Sequence, residues 1–160
     1  MKTRLPAIAI LIAFSVAATN LRAASPKKLD ALETQALEVM KKKAAELNIA
    51  GVAVVFYAEG ETIQGWTSKM AVVGRLTDPK ASEKGNNLLG IAYAKSAEMA
   101  VTLEDSGTAK RPPMTGEFGW QGGVILKCKT GYIVVAFSGG KSEDDVQVSK
   151  AGLEVLKKAL

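Results

Sequence analysis

Histidine is absent from all 160 residues, and cysteine occurs once, as Cys128. Without histidine, the usual zinc sites, Ser-His-Asp triads and Cys-His nucleophile pairs are excluded. A single cysteine leaves no intramolecular disulfide to staple the fold. Aromatic residues make up only 6% of the chain, and no basic stripe is interleaved with them. Nucleic acid is therefore not an expected partner.

What is present suits an ordinary globular protein: 48% hydrophobic and 23% charged residues. The length suits one domain with a real core. The start stands apart, however. "MKTRLPAIAILIAFSVAATNLRAA" places Lys2 and Arg4 before an apolar run from Ala7 to Ala18, followed by small residues. This is the plan of a secretory signal peptide over residues 1–24, with cleavage after Ala18 or after Ala23/Ala24. The run is short for a membrane span; an uncleaved anchor is the alternative. No cysteine follows it to carry a lipid. The expected product is periplasmic or secreted, a single domain over 25–160 with no stable membrane anchor. Setting aside Lys2, Arg4 and Arg22 lowers the basic count from 21 to 18 against 16 acids, and the net charge from +5 to +2.

Periodicity predicts a helix over Pro26–Leu47, where Leu29, Leu32, Ala36, Met40, Ala44 and Leu47 form one stripe. The β-branched run Ile49–Ala58, a turn at Ala58–Glu61 and a return at Thr62–Trp66 predict a hairpin. Gly74–Asn87 is polar and loop-like. A second helix is expected from Asn87 to Glu104, with Leu89, Ala92, Ser96, Met99 and Leu103 on one face, closed by Asp105–Gly107. Thr108–Gly123 holds two prolines and four glycines and predicts a long irregular loop, a common seat of function. A second hairpin follows ("GVILKC", "KTG", "YIVVAFSG"), then a last helix from Ser142. The order predicts an α+β fold, helices packed on an antiparallel sheet. Val124, Leu126 and Cys128 share one face of the first of these strands, which makes Cys128 a small buried hydrophobe; a reactive thiol is the alternative.

"SGGKSEDD" (Ser138–Asp145) mimics a phosphate loop between strand and helix. The motif G-x-x-x-x-G-K-[ST] requires a glycine where Val135 stands, so it fails. Ser142 with Asp145 reads instead as a capping box, and Glu143–Asp145 as a solvated helix start rather than a cation site. Trp66 and Trp120, both beside glycines, either line a pocket or cover a sheet edge. Lys110 and Arg111 are either carboxylate holders or ordinary surface charges.

Several stretches together resemble the GlcG/HbpS-like haem-binding (haem-degrading) domain family. "GVAVVFYAEGETI" is similar to its first hairpin, and "GIAYAKSAEMAVTLEDSG" to its middle helix, with Lys95-Ser96 at the Lys-Ala pair. In "GGVILKCKTGYIVVAFSGGKSEDDVQVSKAGL" the matching positions are Gly122, Gly123, Ser138, Gly139, Asp145, Ala151 and Gly152. Three features depart from the pattern: Phe56 replaces an aspartate, Ile125 a proline, and histidine is lacking.

The resemblance implies a profilin-like antiparallel sheet of about five strands flanked by helices, homo-oligomeric assembly, and a small-molecule ligand, haem or a related tetrapyrrole. The expected cleft combines Lys95 and Met99 of the middle helix with Arg111, Met114 and Trp120 of the long loop. There the cations would pair with propionates, and methionine and tryptophan would pack the macrocycle. The alternative is a non-enzymatic accessory or structural oligomer of the same fold that has lost its ligand. Haem degradation is the third reading, but no catalytic constellation accompanies it.

Overall fold

The structure is a computed structural model that describes residues 25–80 and 83–159; the expected signal peptide lies outside the described residues. Among the described residues, nine elements follow one another: α1 (Pro26–Glu46), β1 (Gly51–Glu59), β2 (Thr67–Val73), β3 (Thr77–Asp78), β4 (Asn86–Asn87), α2 (Leu88–Thr102), β5 (Gly123–Lys127), β6 (Gly131–Ser138) and α3 (Ser142–Lys157). The expected α+β architecture forms. Its main sheet is antiparallel with four strands in the order β2-β1-β6-β5, and β3 and β4 make a separate two-stranded pair.

β1 and β6 are central, and their unbroken apolar runs follow from burial on both faces, as a sheet covered by helices on each side requires. Ala53, Val55 and Tyr57 of β1 join Ile133, Val135 and Phe137 of β6 against the stripes of α1 and α3. Val52, Val54 and Phe56 join Val134 and Ala136 against Leu88, Ala92 and Met99 of α2 on the other face. The result is three layers with two cores that share one sheet.

The helices begin and end as local chemistry directs. Pro26 opens α1 at a position where its missing N–H costs nothing. Asn87 caps α2 by accepting a hydrogen bond from the Gly90 N–H at 3.0 Å. Leu103 closes α2 in the left-handed region at φ 56°. Within α2, Ala92, Ser96 and Met99 are buried as their spacing predicts, but Leu103 is exposed because the helix has ended there.

Two local expectations are corrected. Thr62–Trp66 is not the return strand, because the turn that starts at Gly60 (φ 107°) continues through it. Pairing with β1 begins at Tyr57↔Thr67 and runs to Gly51↔Val73. The capping box at α3 does not form either: the N-cap is Lys141, and Asp145 is buried. Its Oδ1 accepts from the Gly140 N–H at 2.8 Å, so the carboxylate turns back toward the strand end.

Candidate functional site

α2 crosses the sheet beside the loop that joins it to β5, where a cleft was expected. Lys95 is 3% exposed there. Its Nζ donates to the Phe137 carbonyl and to Asp145 Oδ2, both at 2.8 Å. Gly122 makes room for it: at φ 133° it lies in glycine's territory, and a Cβ there would land on the Lys95 ammonium. Ser149 Oγ donates to the Gly122 carbonyl at 2.7 Å and fixes the same segment. Burial pulls the Lys95 pKa below the ordinary lysine value and lifts that of Asp145, while their mutual attraction opposes both shifts. Lys95 is thus a buried strut between α2, β6 and α3.

The other expected residues are likewise not gathered into a cleft. Met99 is fully buried, and its methyl fills the space that a side chain at Gly123 would occupy. Arg111 makes a bidentate pair with Glu117, with both N–H···O contacts at 2.7 Å. Glu117 also accepts from the Met114 N–H at 2.8 Å, and these bonds hold its pKa down at about 2. Met114 and Trp120 are exposed, and Trp120 stacks on Phe118 at 4.8 Å rather than facing Met99. Beside them, a recess of about 330 Å³ between the start of α2 and the loop is lined by Asn86, Asn87, Ile91 and Phe118 among others, with no charged residue.

Haem does not fit this arrangement. The two cations proposed for its propionates are each neutralised by an internal carboxylate, and Met99 of α2 is sealed beneath Gly123. Among the described residues, no group of three or more histidine, cysteine, aspartate or glutamate side chains is placed to hold a metal ion. Cys128 is partly buried and packs against the α1/α3 core, with its thiol directed to the Gly131 carbonyl at 3.4 Å.

A larger groove, about 640 Å³, lies elsewhere, between the first turns of α1 and the start of β2. That volume suits a small organic ligand. Leu29 and Tyr57 give it apolar surface; Asp30, Glu33, Glu59 and Lys69 give it charge; Gln64, Thr67 and Ser68 add polar groups. Lys69 is already engaged, at 2.7 Å from both Asp30 Oδ1 and Thr34 Oγ1. Glu33 is only 4% exposed. Thr67 Oγ1 donates to it at a long 3.4 Å. Burial raises its pKa above 4.5, against smaller lowering effects of Thr67 and Lys69. The groove therefore combines an apolar floor with an acidic wall whose buried member is weakly partnered.

The groove has no sequence motif of its own, because its parts come from three separated segments. Glu33 adjoins Leu32 in the apolar stripe of α1 and is buried with Leu29 and Ala36, a burial that no sequence pattern announces. Trp66 packs its ring on Phe56 at 4.7 Å and also borders the groove. No protein-family model matches the chain, and no curated protein matches it, so function must be read from the groove's own chemistry.

Proposed function

We propose that this chain is an exported, non-enzymatic binding protein that takes a small organic ligand with an apolar body and a cationic group in the α1–β2 groove. The observation that carries this reading is Glu33, a nearly buried carboxyl with one long hydrogen bond beside apolar Leu29 and Tyr57. A ligand cation would give that carboxylate the charge-assisted partner it lacks. Asp30 and Glu59 strengthen the preference for positive charge, since Lys69 is already paired. Export rests on the N-terminal 24 residues alone.

The tetrapyrrole implied by the resemblance is the competing ligand. Its two propionates would meet an acidic wall in the groove, and neutralised cations beside α2. Parallel titrations separate the two. Proflavine, a planar aromatic cation, is expected to bind saturably at one site, about tenfold more weakly in Glu33→Gln on loss of a charge-assisted contact. Haemin is expected to show no saturable shift of its Soret band. Saturable haemin binding with no proflavine binding overturns the reading.

A second reading, an accessory oligomer without a ligand, is favoured by the internal pairing of Lys95 and Arg111. It predicts that neither probe binds and that no chromophore accompanies the purified protein.

A further inference from the structure

We infer that the outer edge of β2 is a pairing surface for a second copy of this chain, which joins the two sheets into one. The two edges of the sheet differ. At β5, the Gly123 N–H donates to Ser106 Oγ at 2.8 Å, the Ile125 N–H to Asp105 Oδ1 at 2.9 Å, and the Ser106 N–H to the Gly123 carbonyl at 3.2 Å. Residues 105–106 therefore close that edge. At β2, among the described residues, no segment hydrogen-bonds to the outer side of Thr67–Val73. A bare row of N–H and C=O groups is a template for another strand.

The devices that usually protect such an edge are few here. The strand has no proline, and its one charged residue, Lys69, is drawn toward α1 by Asp30 and Thr34. On the opposite face, Met70 opposes Val54 and Val72 opposes Val52, so both stand on the α2 side of the sheet. α2 lies over β1, β6 and β5, and leaves Met70 and Val72 at 38% and 43% exposure. Trp66 continues this apolar stripe just before the strand, at 39%.

The strand is also compatible with itself. Antiparallel pairing of Thr67–Val73 with the same segment overlaps fully when Met70 opposes Met70 of the copy. Lys69 then faces Ala71, Val72 faces Ser68 and Trp66 faces Gly74, so no like charges are opposed. Centring the pair on Lys69 instead would oppose two ammonium groups. A two-fold axis through Met70 keeps the exposed apolar stripes of both copies on one face. This inference does not depend on what the groove binds, although Thr67, Ser68 and Lys69 border both.

The test is the solution mass of the protein and of variants at Met70, an exposed site where substitution leaves the core intact. The wild-type protein is expected to be dimeric at high micromolar concentration by light scattering. Met70→Lys and Met70→Glu, each opposing like charges, are expected to be monomeric with an unchanged circular dichroism spectrum. Mixing the two variants is expected to restore a dimer, because lysine then faces glutamate. In a Cys128→Ser background, Met70→Cys is expected to form a disulfide-linked dimer on mild oxidation, since opposed residues of an antiparallel pair lie within bridging distance. A monomeric wild-type protein overturns the inference. So does a dimer that both charged variants leave intact, which would place the contact elsewhere or leave the edge to a different strand.

Discussion

Burial of Lys95 and Asp145 side by side makes each charge depend on the other. Removing one partner leaves an uncompensated ion under the Gly122 turn, so Lys95→Met or Asp145→Leu alone is expected to cost about 3–5 kcal/mol. The double variant is expected to lose much less than the sum, and urea denaturation of all three measures the coupling. Glu33 behaves differently, because its hydrogen bond from Thr67 Oγ1 is long, at 3.4 Å. Its raised pKa means that folding favours the protonated form, so the contribution is full below the unfolded value of 4.5 and is lost as pH rises through the folded value. Glu33→Gln is therefore expected to stabilise the protein at neutral pH by about 1 kcal/mol, the scale of relieving one poorly satisfied buried group. At pH 4 the difference should nearly vanish. Thermal melts at the two pH values check the sign.

At the scale of elements, most of the fold was legible in the sequence because period and burial coincide. The α1 stripe, the β-branched runs of β1 and β6, and Asn87 at the head of α2 each announce themselves. β2 begins later than the alternation of "TIQGW" predicts, because "TSKMAVV" is the segment that registers against β1. The capping box at Ser142 failed for a reason no local pattern contains: Asp145 faces a lysine 50 residues away. The long loop is irregular, as its prolines and glycines predict, but the Arg111–Glu117 clamp that braces it is not visible in spacing alone. Breaking the clamp with Glu117→Gln is expected to speed protease cleavage within 108–121 severalfold, with little change in global stability. Limited proteolysis beside a melting curve distinguishes the two. The low pKa of Glu117 keeps the clamp charged at neutral and mildly acidic pH, and it opens only as pH falls toward about 2.

For the whole molecule, the layers decide which surfaces remain for function. α1 and α3 cover one face of the sheet, α2 covers most of the other, and residues 105–106 close one edge. What remains is the β2 side, with the groove beneath α1 and the bare strand next to it. The cleft expected between α2 and the long loop assembled residues that lie near one another along the chain, but the fold uses them to hold itself together. The ligand therefore belongs on the β2 side, and amide chemical-shift mapping of the isotopically labelled protein titrated with proflavine locates it. Saturable shifts clustered at Leu29, Glu33, Tyr57 and Thr67–Lys69 are the expected result. Shifts clustered at Met114–Trp120, or none that saturate, would contradict it.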